Sequence, residues 1–254
     1  MRQNDPIRRI LYEKISFICC YTKEDLLNDL KKSADCLTDY EIEWVVIDNR
    51  NNRFKSAASA LNYGFNKSTS PIVVFLHHDI ILYDQATLDR VVAACEKGNI
   101  AGFAGTLPNG GELVSTISDG EDKEWTYDYD FQDQDWIQVR TCDECFIAMS
   151  RDTYHKVGGF DQDNFDGWHF YVVDLTLRAA QRHIPVVVVR ANAWHRSHGK
   201  VDKSFDKYKN ILRKKYKNEY FKIYYPCGWT YTNDIFFYVR DFLHNIRMRL
   251  KGER

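Results

Sequence analysis

Residues 70–80 read SPIVVFLHHDI, an apolar run long enough for one strand that stops abruptly on two histidines and an aspartate. A strand buried on both faces is a near-continuous apolar segment, and packing gives it no reason to end on three metal-ligand side chains. A second apolar run, residues 185–189, precedes Trp194-His195-Arg196-Ser197-His198. Ligands of open α/β sheets bind just outside the carboxyl ends of strands, so two strand ends carrying such groups point to one shared, metal-assisted site.

Strand and helix patterns alternate through the first hundred residues. Residues 14–20 and 43–47 read as strands, the second ending on Asp48-Asn49, and residues 71–76 as a third. Between them lie Leu26, Leu30, Ala34 and Leu37 at helical spacing and a short alanine-rich helix over 56–65. Asp84 is placed to cap a helix running to about Lys97, and residues 99–105 begin a further strand. This alternation predicts a largely parallel sheet with helices on both sides. Residues 108–135 show no period and read as a long loop or flap. A strand over 146–149, a helix over 151–157 stopped by Gly158-Gly159, and a helix over 173–183 with Asp174 and Arg178 in i,i+4 register follow. Ile235, Val239, Phe242, Ile246 and Leu250 mark one face of a last helix.

The net charge of −1 argues against a protein that coats nucleic acid, although the charge is uneven. Residues 112–135 hold nine acids and one lysine, and residues 196–217 hold nine Lys or Arg and two acids. No segment approaches the roughly 20 apolar residues of a membrane span, and the opening MRQNDPIRRILYEK is not a secretory signal. A cytoplasmic protein is expected, with peripheral membrane contact open to the basic C-terminal helix. The seven cysteines then read as reduced thiols, Cys142-Asp143-Glu144-Cys145 included, since no second pair stands at zinc-ribbon spacing. Trp125, Trp136, Trp168 and Trp194 lie in polar surroundings, where aromatic rings either stack on sugars or bases or simply fill core.

Several motifs occur in a recognisable order: the strands at 16–20 and 44–48, Leu61-Asn62-Tyr63-Gly64, Phe75-Leu76-His77-His78-Asp79, Gly158-Gly159-Phe160-Asp161, Gly167-Trp168 and Asp174-Leu175-Thr176-Leu177-Arg178. Over roughly residues 12–200 the chain resembles family 2 glycosyltransferases. The resemblance implies an α/β protein of GT-A fold, a Rossmann-like mixed sheet flanked by helices, over 1–200, with 201–254 as a basic, aromatic, helical extension. It implies metal-assisted transfer of a sugar, with inversion, from a UDP- or GDP-type donor to a hydroxyl of a glycan or lipid-linked glycan, using Mn²⁺ or Mg²⁺. The family's Asp-x-Asp turn reads His77-His78-Asp79 here, so Asp79 is the expected metal ligand, with His77 and His78 beside the donor. His195 is the expected further ligand, and His198 stands three residues on. Asp48 is expected to accept a hydrogen bond from the nucleotide base, and Asn62 with Gly64 to lie near the donor.

The family's general base is commonly the second acid of a Glu-Asp-x-Asp run. Alignment of that run on Asp174 puts Tyr171 and Val172 where the first two acids would stand. A base needs only a suitable pKa within reach of the acceptor hydroxyl, so Asp166 and His169 are the expected replacements. Asp143 and Glu144 are further acids on the acceptor side, and Asp174 is expected to pair with Arg178. Two other readings stay open: a metal-dependent nucleotidyl- or phosphoryl-transferase, which the absence of a Gly-x-x-x-x-Gly-Lys-Ser/Thr loop disfavours, and a non-catalytic nucleotide-sugar or glycan-binding protein.

Overall fold

The first three apolar segments form the parallel half of a seven-stranded sheet. β1 (Lys14–Tyr21) pairs in parallel with β2 (Glu41–Asp48) and with β3 (Ile72–Leu76). Parallel neighbours need crossovers, supplied by α1 (Glu24–Ser33) and α2 (Ala57–Lys67), which also covers the sheet. All five residues of β3 are buried, and each fully buried aliphatic side chain contributes about 1.5–3 kcal/mol. This computed structural model describes residues 14–197, 202–240 and 242.

The helix starts follow local chemistry. The Ser56 hydroxyl accepts the Ser59 N–H at 3.2 Å to open α2, and Asp84 accepts the Thr87 N–H at 2.8 Å to open α3 (Gln85–Glu96), after the short β4 (Ile80–Leu82). Gly64 has a packing reason: a Cβ there would stand 2.8 Å from Ile47 Cδ1 and collide with Ile18, so only glycine lets α2 lie this close to β1 and β2.

The single strand expected over 99–105 is two strands. β5 (Ile100–Gly102) belongs to the main sheet, and β6 (Ala104–Thr106) belongs to a three-stranded sheet beside it. The segment expected to be an irregular loop holds β7 (Leu113–Ser115), β8 (Ser118–Asp119) and β9 (Trp125–Thr126), each too short to show a period. Then come β10 (Trp136–Val139), β11 (Thr141–Cys142), β12 (Phe146–Ser150), α4 (Arg151–Val157), α5 (Tyr171–Gln181), β13 (Val186–Val189) and β14 (Ala193–His195).

The main sheet has the order β10-β13-β5-β12-β3-β1-β2 and is mixed. The parallel expectation holds for β1 with β2 and β3 and for β13 with β5, whereas β12 runs antiparallel to both β3 and β5. The chain between β5 and β12 contains no crossover helix to return it in the parallel sense.

The last described segment continues the same core. α6 (Phe205–Lys215) contributes Tyr208 and Leu212 to the cluster that holds Phe165, Phe170 and Leu175, and the hairpin β15 (Lys222–Tyr225) and β16 (Gly228–Tyr231) adds Ile223 and Tyr225. Arg213 is fully buried, pairs with Asp234 at 2.5 Å and lies 4.0 Å over the Phe237 ring, which anchors the helical residues 234–240. The helical face marked by Ile235, Val239 and Phe242 is not the side packed on the protein. Phe237 is the buried side chain, while Ile235, Val239 and Phe242 are exposed, because the ring must face the guanidinium that holds it. Ile246 and Leu250 lie outside the described residues.

On β2, Glu43 accepts hydrogen bonds from the Ser16 hydroxyl, the Thr69 N–H at 2.8 Å, the Thr69 hydroxyl at 2.6 Å and the Ser70 hydroxyl at 3.1 Å. Burial alone would raise its pKa, but these donors outweigh burial and hold it at about 2. A carboxylate depressed on folding contributes stability above its unfolded pKa of about 4.3 and loses it as pH falls toward the folded value. Glu43→Gln is expected to cost about 2 kcal/mol at pH 7. Urea melts of mutant and wild type should converge as the pH is taken from 7 toward 2, and a gap that persists at low pH would contradict this account.

Candidate metal and ligand site

Strand pairing, rather than proximity in sequence, assembles the site. His77 follows β3 and donates its backbone N–H to Cys145 O at 2.9 Å, so it continues the ladder toward β12. Asp79 sits in the turn into β4. β4 pairs antiparallel with β14, with Ile80 opposite His195, and the Arg196 N–H donates to Asp79 O at 3.0 Å. This short ladder carries Asp79 and His195 to one place. His195 Nε2 lies 3.6 Å from Asp79 Oδ1 and 3.4 Å from His77 Nδ1, while His77 Nδ1 lies 4.0 Å from Asp79 Oδ1. One ligand atom from each of the three falls within 4.8 Å of the others.

The acid-rich segment supplies a fourth residue. β14 also pairs with β8, His195 opposite Asp119, and the Asp119 carboxylate meets His195 Nδ1 at 2.9 Å. A carboxylate on one ring nitrogen fixes the ring and aims the other nitrogen at the cluster, the arrangement found around histidine metal ligands. Burial lowers the His195 pKa, but the Asp119 hydrogen bond and the Asp79 charge outweigh it and raise the pKa overall. His77 is lowered, chiefly by burial. Asp79 is lowered despite burial, by His77, His195 and the Ser197 hydroxyl. Tyr171 completes the wall, its hydroxyl 3.4 Å from His77 Nε2.

These groups open on a cavity of about 1000 Å³. His77, His78, Asp119, Asp143, Glu144 and His195 form its polar side. Trp125 and Trp168, 43% and 41% exposed, stand among its aromatic residues. Their broad apolar faces with polar edges suit ring-shaped polar ligands. The other two tryptophans are used differently: Lys97 lies 5.3 Å over Trp136, and Trp194 Nε1 donates to Gly120 O at 2.8 Å.

The remaining expected site residues are dispersed. Asp48 stands at the carboxyl end of β2, held by Arg50 at 2.6 Å, and the hydrogen bonds of Arg50 keep its carboxyl below the usual range. Asn62 donates to Phe160 O at 2.9 Å and accepts from the Phe160 N–H at 3.1 Å and from the Tyr154 hydroxyl, so it clamps α2 to the turn after α4. Asp166 is exposed and accepts from Lys207 at 2.7 Å and Tyr208 at 2.9 Å, contacts that lower its pKa and make it a weaker base. It is not among the cavity-lining residues, and neither is Asn62. His169 does line the cavity, with Nε2 3.3 Å from Asp202 Oδ1. His198 lies outside the described residues. Asp174 pairs with Arg178 at 2.8 Å, as its spacing predicts.

Cys142 and Cys145 are buried thiols, and burial pushes both pKa values up, which removes the thiolate that metal or redox chemistry needs. Asp119 and Tyr171 escaped sequence reasoning. The one signal for Asp119 was its place in the acidic run, where eight other acids compete with it.

A profile described as a glycosyltransferase-like family matches residues 16–220. No curated protein matches the chain. Among solved structures, one of GalNAc-T7 with UDP, GalNAc and Mn²⁺ superposes with a TM-score of 0.61 at 13% identity. The match covers 81% of this chain and 50% of the other, so the chain spans about half the length of that protein's chain.

Proposed function

From a chain that belongs to the glycosyltransferase-like family and has the GT-A fold, we propose transfer of a sugar, with inversion, from a UDP-type donor to a hydroxyl of a glycan or lipid-linked glycan. The observation that carries this reading is the meeting of His77, Asp79 and His195 beside a cavity large enough for a nucleotide sugar, which His77 and His195 line. Two imidazoles and a carboxylate suit Mn²⁺ better than Mg²⁺, which favours oxygen ligands, and the GalNAc-T7 structure carries UDP and Mn²⁺. A cation held by these three residues supplies positive charge where the donor's diphosphate becomes the leaving group. His78 lies on the same wall and is read as facing the diphosphate. Trp125 and Trp168 are read as stacking surfaces for the donor sugar or the acceptor.

Asp48 is read as the residue that recognises the nucleoside. Support comes from Cys20, which lines the cavity and whose pKa is raised by burial and then by the nearby Asp48 charge. A thermal-shift panel of UDP- and GDP-sugars with and without Mn²⁺ tests the whole reading, because a ligand that binds only the folded state raises the melting temperature. UDP-sugars should stabilise the protein only with Mn²⁺. Stabilisation by no nucleoside diphosphate would rule the reading out.

No helix among the described residues is long and apolar enough to cross a membrane. A peripheral contact is proposed from Phe221, Ile235, Phe236, Tyr238 and Val239, all exposed, with Lys222 and Arg240 beside them. Basic side chains near an anionic bilayer each add about 1 kcal/mol. The protein should sediment with phosphatidylserine vesicles at low salt and be released at high salt, and absence of binding at low salt removes this part of the proposal.

A further inference from the structure

The helix position that carries the general base in the resembling family is aliphatic here, yet a carboxylate reaches the same helix end from a connection between two strands. Tyr171 and Val172 open α5, and their side chains are buried in the core. Their backbone N–H groups, with that of Phe170, act on Glu144, which enters from the connection between β11 and β12. Phe170, the residue before the helix, is left-handed with φ 65° and gives the helix no side-chain cap. A non-glycine residue in that conformation is strained and persists only where its surroundings impose it.

Three further observations concern Glu144 itself. It lines the same cavity as His77 and His195. Its Oε1 is buried and has no hydrogen-bond partner among the described residues, whereas Asp143 Oδ1 accepts the Cys145 N–H, Asp166 is paired with Lys207 and Asp174 with Arg178. Its charge also acts on Tyr171, whose hydroxyl touches His77, so it stands one side chain away from the three candidate metal ligands.

We infer that Glu144 is the catalytic base, an assignment that rests on the proposed transferase activity. As the acceptor oxygen forms its bond to the sugar's anomeric carbon, the bond from that carbon to the diphosphate breaks. UDP leaves with the electron pair, and the acceptor's hydroxyl proton passes to the Glu144 carboxylate. Burial, then the Asp143 charge, raise the Glu144 pKa well above the ordinary carboxyl value, and the Phe170, Tyr171 and Val172 amides limit the rise. A general base serves best with a pKa near the working pH, which lies above the ordinary carboxyl value.

The test compares wild type, Glu144→Gln and Glu144→Asp. UDP–Mn²⁺ affinity is measured by calorimetry, folding by thermal melts, and turnover by UDP release from UDP-sugars with glycan and monosaccharide acceptors. Glu144→Gln should keep the UDP–Mn²⁺ affinity and lose about 10²–10⁴-fold in turnover, with partial recovery in Glu144→Asp. Wild-type turnover per folded Glu144→Gln molecule would overturn the assignment and leave Glu144 as a capping residue. Absence of UDP–Mn²⁺ binding in the wild type would instead overturn the transferase reading itself, and is recognised before any mutant is compared.

Discussion

Asp79→Ala and His195→Ala are each expected to weaken Mn²⁺-dependent binding of UDP by at least about a hundredfold. Loss of a residue that only orients a metal ligand typically costs 10–100-fold, and these two are the candidate ligands themselves. Asp119→Asn keeps the shape of the side chain that meets His195 Nδ1 at 2.9 Å but removes its charge, so it belongs in the 10–100-fold range. The ladder between β4 and β14 is made by backbone groups, so the Asp79 variant should keep the fold, which a cooperative thermal melt in chelator checks. Calorimetry with UDP, with and without Mn²⁺, reads all three variants. An unchanged metal-dependent affinity in Asp79→Ala would dismantle the proposed metal site.

Asp174→Ala is expected to give the largest loss of stability. The Asp174 carboxylate has no exposure to solvent and accepts from Arg178 Nε at 2.8 Å, Lys215 Nζ at 2.5 Å and the Tyr216 hydroxyl at 2.9 Å. Arg178 in turn donates to Val157 O and Gly159 O, both at 2.7 Å, so one acid ties the end of α4 to α5 and α6. Removing one partner of a buried ion pair costs about 3–5 kcal/mol because the remaining charges lose their compensation. For a chain of this size that corresponds to a fall in melting temperature of roughly 10 °C. Urea unfolding checks it, and a change below about 1 kcal/mol, the scale of an exposed pair, would place the network outside the stabilising core.

The pair at Asp174 and Arg178 is legible in the sequence, because i,i+4 spacing on a helix is a local property. So are the Asp84 cap, the strand runs of β3 and β13, and the strand-end position of Asp79 and His195. The split of the 99–105 strand at Phe103 is not legible, since an apolar run carries no mark of the point where it changes sheets. Asn62 is the complementary case: its motif is visible in the sequence, but the partners of its amide, Phe160 and Tyr154, lie more than ninety residues away.

The alternation of strands and helices, and the metal-ligand side chains at the ends of β3 and β14, can be read along the chain, because periodicity and strand termini are written over a few consecutive residues. Which carboxylates join them was decided only by tertiary structure. Asp119 reaches His195 through a two-residue pairing of β8 with β14 across 76 positions, and Glu144 meets the start of α5 from a connection between other strands. Contacts of that kind depend on register between distant segments, and no pattern along the chain encodes register between strands two residues long.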